Sequence, residues 1–187
     1  MKKPIFLRKG EIEMSGLKEH IFLIGFMGAG KTSTSRALSH MLGVKETDTD
    51  AMIVEKEGCQ ISVIFEKKGE EYFRNLETGI LDDIKIMEPC IISCGGGMVL
   101  REENVLKMKE MGKILFLSAT PETIYTHVKD SLSRPLLNGN MNIPYIKKLM
   151  DERVPKYLAA SDAVIVTDGL DPKGVAAKIA GTYLKNI

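Results

Sequence analysis

The stretch "GFMGAGKT", Gly25–Thr32, is the most informative part of this sequence. It matches the pattern Gly-x-x-x-x-Gly-Lys-Ser/Thr, and it stands between the apolar run Ile21–Ile24 and the helix-like segment Lys31–Leu42. Glycines let backbone N–H groups turn towards phosphate oxygens, and the positive end of the following helix attracts the negative charge of the phosphate. The lysine can reach the β- and γ-phosphates, while the Thr32 hydroxyl can bind Mg²⁺. The octet therefore predicts a nucleoside triphosphate site, with ATP expected to contact Gly28, Ala29, Gly30, Lys31, Thr32 and Ser33.

Short apolar runs alternate with longer amphipathic segments along the rest of the chain. The predicted strands are Ile21–Ile24, Val44–Thr47, Cys90–Cys94, Ile114–Ser118 and Ala163–Thr167. The predicted helices are Lys31–Leu42, Asp50–Glu57, Ile61–Lys67, Glu70–Met87, Glu102–Lys109, Pro121–Val128, Ile143–Ala160 and Pro172–Leu184. Strands separated by helices of this length indicate a parallel sheet covered on both faces, which is an α/β domain. The turn-rich segment at about residues 130–142 is expected to be a mobile lid.

Length and composition limit the possible classes of protein. A chain of 187 residues fits a single domain, which we expect over residues 20–187 after a poorly ordered tail of residues 1–19. A net charge of +1 gives no electrostatic reason to expect nucleic acid or a membrane surface as a partner. Three cysteines without framework spacing favour free thiols in a reducing cytoplasm. We expect a cytoplasmic monomer that acts on small molecules.

The loop motif alone is shared by kinases, GTPases and ATPases. A GTPase would need the guanine-reading pattern Asn-Lys-x-Asp, which the sequence lacks. An ATPase machine would need an acidic residue at the end of a buried strand, and "AVIVTD", Ala163–Asp168, has that form. This is the last predicted strand, however, and we interpret it as a core strand that runs into a turn. Further motifs are needed to choose among these classes.

Five such motifs follow the loop in a fixed order. They are "DTD" at Asp48–Asp50, "GEEYFRNLE" at Gly69–Glu77, "SCGGG" at Ser93–Gly97, "RPLL" at Arg134–Leu137 and "RVPKY" at Arg153–Tyr157. Together they resemble the shikimate kinases, a family of small P-loop kinases, from about residue 21 to the C-terminus. The resemblance implies a three-layer, nucleoside-monophosphate-kinase-like fold with five parallel strands in the order 2-3-1-4-5. It also implies transfer of the γ-phosphoryl group of ATP to the 3-hydroxyl of shikimate, with Mg²⁺, in aromatic amino-acid biosynthesis.

The resemblance also assigns roles to single residues. It implies catalytic roles for Lys31, Asp50 and Arg134, of which Asp50 would take the proton of the attacking hydroxyl. Mg²⁺ would be held by Thr32 and, through water, by Asp48 and Ser93. Shikimate would be bound by Asp50, Phe65, Phe73, Arg74, Gly95, Gly96, Gly97 and Arg153. Arg134 would also bind ATP, and so would His127, whose imidazole can stack on adenine where the family often has an arginine.

Several of these residues have simpler interpretations. "TDTDA" is a good helix N-cap sequence, and Arg74 with Glu77 three residues later is typical of a solvated ion pair. A planar guanidinium is, equally, a bidentate partner for a carboxylate. Consecutive glycines indicate either a tight turn or close approach of backbone to ligand. Two rival functions remain open at this point: a kinase of another small hydroxy acid such as gluconate, and a nucleotide-dependent regulator without catalysis.

Overall fold

A five-stranded parallel sheet forms the centre of the structure, a computed structural model that describes residues 16–129 and 142–183. The strands are β1 (His20–Ile24), β2 (Glu46–Asp48), β3 (Ile91–Ser93), β4 (Gly112–Ser118) and β5 (Ala163–Val166). Their order in the sheet is β2-β3-β1-β4-β5, and each neighbouring pair is parallel. The predicted α/β fold and strand order are therefore confirmed.

Helices connect the strands and cover the sheet. They are α1 (Lys31–Leu42), α2 (Thr49–Glu57), α3 (Ile61–Lys85), α4 (Glu102–Met111), α5 (Pro121–Val128), α6 (Ile143–Ala160) and α7 (Pro172–Tyr183), with a 3₁₀ turn at Met98–Leu100. Every residue of β1 is buried. Because successive side chains of a strand point to opposite faces, burial of all of them means that both faces of the central strand are covered. Within the described ranges, no helix combines the length and apolarity needed to cross a bilayer.

The second strand and the helices around Gly69 can be compared with the sequence prediction in detail. The second strand was expected at Val44–Thr47 but lies at Glu46–Asp48, since its bounds are set by pairing with β3, where Glu46 faces Ile91 and Asp48 faces Ser93. The predicted break between two helices is present within α3, because Gly69 has non-helical backbone angles (φ 80°, ψ 172°) and the chain kinks there. The kink falls where the sequence prediction placed the break.

The strand register brings the motifs to one edge of the sheet. Leu23 of β1 and Asp48 of β2 both face Ser93 of β3. The loop after β1, the start of α2 and the glycine turn after β3 therefore meet at the carboxyl ends of three neighbouring strands. Open α/β sheets bind their ligands at this edge.

Candidate active site

The glycine-rich loop joins β1 to α1 and shapes the first part of the site. Gly30, the residue before α1, has φ 85°, a left-handed conformation that favours glycine. The Lys31 ammonium donates hydrogen bonds to the carbonyl oxygens of Gly25 (2.9 Å) and Phe26 (3.1 Å). The lysine therefore lies folded over its own loop, at the N-terminal end of a helix.

A cleft of about 520 Å³ lies next to this loop. Its lining comes from the loop, from the ends of β2 and β3, and from the segment that follows β5. The lining residues are Met27, Gly28, Ala29, Gly30, Lys31, Thr32, Ser33, Thr34, Asp48, Asp50, Ser93, Cys94, Gly96, His127, Thr167, Leu170, Asp171, Pro172 and Val175. The structure thus brings every loop residue predicted to bind ATP together with both motif aspartates.

Three oxygen-bearing side chains meet beside the loop. The Thr32 hydroxyl donates to Asp48 Oδ2 (2.9 Å) and lies 3.2 Å from the Ser93 hydroxyl. The other oxygen of Asp48, Oδ1, accepts from the backbone N–H groups of Asp50 and Ala51, so Asp48 is also the N-cap of α2. The N-cap interpretation of "TDTDA" is therefore confirmed, while the contact of Asp48 with Mg²⁺ through water stays a prediction. In the described part of the chain no group of three or more His, Cys, Asp or Glu side chains could hold a metal. A small set of hard oxygens such as this one suits Mg²⁺, which keeps several of its waters.

The glycine turn after β3 lies in contact with charged side chains. A side chain at Gly97 would overlap the Arg74 guanidinium, and one at Gly95 would collide with the Asp50 carboxylate. Gly96 lines the cleft, and a side chain there would come within 3.9 Å of the Arg153 guanidinium. The turn is therefore a place where charged groups approach bare backbone closely.

Arg74 is held by two carboxylates of its own helix, α3. Its Nη1 donates to Glu77 (2.7 Å), whereas Nη2 and Nε donate to Glu70 (2.8 and 3.2 Å). Glu77 is only 1% exposed, so the interpretation of this pair as a solvated surface contact is wrong. Burial raises the pKa of the Glu77 carboxyl, and the hydrogen bond from Arg74 opposes that shift. The spacing of this pair is visible in the sequence, but the place of Glu77 beside the site depends on its burial.

Arg153 and Tyr157, one turn apart on α6, approach the same turn. The Tyr157 hydroxyl donates to the Gly96 carbonyl oxygen (2.7 Å), and the tyrosine is 1% exposed. Burial raises the pKa of Tyr157, with the charge of Arg153 acting in the opposite direction. The Arg153 guanidinium lies 5.9 Å from the centre of the Phe26 ring. Arg74 and Arg153 therefore reach the glycine turn from two different helices, and Tyr157, which the sequence had only as part of a motif, anchors it.

The remaining predicted site residues are Phe65, Phe73, His127 and Arg134. The rings of Phe65 and Phe73 lie 4.8 Å apart, with Phe73 buried and Phe65 exposed, and their contact with a ligand stays a prediction. His127 Nδ1 lies 2.8 Å from the Gly28 carbonyl oxygen, so the imidazole is tied to the phosphate loop. Arg134 and most of the predicted lid lie outside the described residues.

A phosphate loop that opens a helix, beside a hydroxyl and a carboxylate at the carboxyl edge of a parallel sheet, is the arrangement of P-loop enzymes. The strand order, in which β3 lies between β1 and β2, is the one implied by the resemblance to small P-loop kinases.

Comparison with known proteins identifies the family. The family model described as "Shikimate kinase" matches residues 27–183. A shikimate kinase of Dehalococcoides mccartyi is 41% identical over 168 residues, which are 90% of this chain and 95% of that protein. Among solved structures, shikimate kinase from Acinetobacter baumannii in complex with shikimate aligns with a TM-score of 0.85 and 32% identity, covering 90% of this chain and 94% of that one. Shikimate kinase from Aquifex aeolicus aligns with a TM-score of 0.77 and 36% identity, covering 89% and 97%. The chain belongs to the shikimate kinase family.

Proposed function

We propose that this chain transfers the γ-phosphoryl group of ATP to the 3-hydroxyl of shikimate, giving shikimate 3-phosphate. Membership of the family supports this activity, as does a solved relative that contains shikimate. The observation that carries it is the approach of two guanidinium groups, those of Arg74 and Arg153, to one glycine turn near Asp50. An acceptor with one carboxylate and several hydroxyls fits that set of charges.

The acceptor is held by charge and by backbone contact in this proposal. Arg74 and Arg153 bind the shikimate carboxylate, for which planar guanidinium groups give directed, bidentate hydrogen bonds. Glu70, whose side chain is 65% exposed, yields its place on Arg74 to the ligand, while the buried Glu77 keeps the guanidinium oriented. Asp50, which lines the cleft, accepts the proton of the attacking hydroxyl.

The donor is held by the phosphate loop. Lys31 exchanges its bonds to the Gly25 and Phe26 carbonyl oxygens for bonds to the β- and γ-phosphates. His127, tied to Gly28, and the segment from Thr167 to Pro172 enclose the adenine, in agreement with the lining of the cleft. Arg134 would add positive charge over the transferring group. Fixed charges of this kind stabilise the transition state without reorganisation of solvent.

Thr32, Asp48 and Ser93 are the residues that would hold Mg²⁺. Asp48 Oδ2 and the Ser93 hydroxyl oxygen both lie within 3.2 Å of the Thr32 hydroxyl oxygen, so the three side chains offer one carboxylate and two hydroxyls. A bound magnesium ion supplies neutralisation of phosphate charge. We further propose a monomeric, cytoplasmic enzyme, because donor and acceptor residues come from one chain and the three cysteines are free thiols.

A coupled assay of ADP release tests the proposal. Shikimate, quinate, gluconate and nucleoside monophosphates are compared as acceptors, and phosphorus NMR locates the phosphate on the product. We expect rapid, shikimate-dependent release of ADP and a phosphate on the 3-hydroxyl. Faster turnover of gluconate would favour the rival kinase, and ATP binding without acceptor-dependent turnover would favour a regulator.

A further inference from the structure

Thr49, the middle residue of "DTD", is buried between the two site aspartates. It opens helix α2 and is 0% exposed. Its hydroxyl oxygen accepts a hydrogen bond from the backbone N–H of Gly95 (2.8 Å), a residue 46 positions further along the chain. The bond therefore joins the aspartate motif to the glycine turn.

The two segments joined by this bond are in close contact. A side chain on Gly95 would collide with the Asp50 carboxylate. On its other side the turn is held at Gly96, whose carbonyl oxygen accepts from Tyr157. One hydrogen bond thus holds the N–H side of the turn and another holds its carbonyl side.

We propose that Thr49 is a positioning residue for the acceptor: it sets the distance between the Asp50 carboxylate and the glycine turn against which shikimate lies. The inference rests on the proposed function, since it assigns the acceptor to this place. Thr49 touches no substrate. It acts through Gly95: the Gly95 carbonyl oxygen is bonded to Met98 within the turn itself, and the Gly95 N–H is bonded to Thr49, which links the turn to the aspartate motif. A β-branched residue has few χ1 rotamers, which keeps the hydroxyl directed at its partner.

Removal of the hydroxyl is expected to misplace the acceptor. Thr49→Val keeps the size and branching of the side chain but leaves the buried Gly95 N–H without an acceptor, so the turn shifts to find another partner. A displacement on the scale of 1 Å at a reacting centre can lower the rate about 100-fold. We expect kcat/KM for shikimate to fall about 10- to 100-fold.

The nucleotide end of the cleft provides an internal control. ADP affinity of Thr49→Val, measured by calorimetry, should stay within about twofold of the parent value, because Gly95 and Thr49 do not belong to the phosphate loop. Thr49→Ser restores the acceptor oxygen and should recover kcat/KM for shikimate to within about threefold. Ser39→Ala serves as a matched control, since it deletes a hydroxyl that bonds to the Val44 carbonyl oxygen (2.6 Å) outside the acceptor site.

The outcomes separate the alternatives. A fall in kcat/KM for shikimate in Thr49→Val with unchanged ADP affinity, and its recovery in Thr49→Ser, supports the proposal. An unchanged kcat/KM for shikimate in folded Thr49→Val, or an equal loss of ADP affinity, overturns it. Should the valine variant not fold, Thr49→Ala takes its place, with the same expected split between acceptor and nucleotide. If the parent enzyme prefers another acceptor, the proposed function fails. The role of Thr49 is then tested by comparing kcat/KM for that acceptor with ADP affinity.

Discussion

Replacement of Arg74 by lysine tests the acceptor site most directly. In the structure the guanidinium uses Nη1 for the buried Glu77 and its other two nitrogens for the exposed Glu70. A guanidinium can therefore keep Glu77 and still present N–H groups to a ligand carboxylate in place of Glu70. A lysine ammonium in Arg74→Lys is a single point charge. We expect it to pair with Glu77, because leaving a buried carboxylate unpaired costs more than leaving an exposed one unpaired.

The size of the effect follows from this competition. A hydrogen bond to a charged group is worth about 1.5–3 kcal/mol. At 1.4 kcal/mol per factor of ten, its loss corresponds to a rise of about tenfold to 150-fold in KM for shikimate. Arg153 lies beside the uncharged ring of Phe26 and near Tyr157. A lysine at that position keeps more freedom to reach the ligand, so Arg153→Lys should fall near the lower end of the range and Arg74→Lys near the upper end.

Steady-state kinetics with varied shikimate and varied ATP measure these values. KM for ATP should change less than twofold in both variants, because neither arginine lines the cleft beside the phosphate loop. Thermal melts show whether each variant is folded, which matters for Arg74→Lys because it alters a buried ion pair. Arg36→Lys is the control, since Arg36 pairs at the surface with Glu46 and its side chain is 73% exposed.

A second acceptor gives the decisive comparison. The parent enzyme should discriminate strongly between shikimate and an analogue that lacks the carboxylate, and the two arginine variants should lose most of that discrimination. If both folded variants discriminate as strongly as the parent, the arginines do not bind the carboxylate. The main structural reason for choosing shikimate as the acceptor would then be lost.

Three further changes probe the donor, the base and the fold. Lys31→Met should nearly abolish phosphoryl transfer in a folded protein, because the charge at the β- and γ-phosphates is removed; activity within threefold of the parent would contradict this role. Asp50→Asn should lower kcat far more than it raises KM for shikimate, because it keeps an acceptor oxygen but loses the base, and a change confined to KM would argue against proton transfer to Asp50. Burial lowers the pKa of His20 from its ordinary 6.5, although hydrogen bonds with the backbone of Cys90 and Ile84 oppose the shift, so the folded protein prefers the neutral ring. The stability gained from this preference is present above pH 6.5 and is lost as the pH falls below it. The melting temperature should therefore fall less between about pH 7.5 and 5.5 in His20→Asn than in the parent. An equal fall in both proteins would refute the linkage.

Features that reside in contiguous residues could be predicted from the sequence alone. "GFMGAGKT" specifies a phosphate loop because its glycines, lysine and threonine act within one turn of chain. Alternation of apolar runs and amphipathic segments was enough to predict a parallel α/β sheet and the break at Gly69. The strand order and the roles of single residues, in contrast, depended on resemblance to a family, since periodicity does not say which strands are neighbours.

The residues that lie opposite each motif become known from the folded chain. The bounds of β2 follow from its pairing with β3, and the burial of Glu77 follows from the elements packed around α3. Thr49 meets Gly95 across 46 positions of sequence, and Tyr157 meets Gly96 across 61. Such contacts join residues that share no local pattern. Burial and long-range hydrogen bonds are properties of the packed chain, because the partner of each group is chosen by the fold and not by its neighbours in sequence.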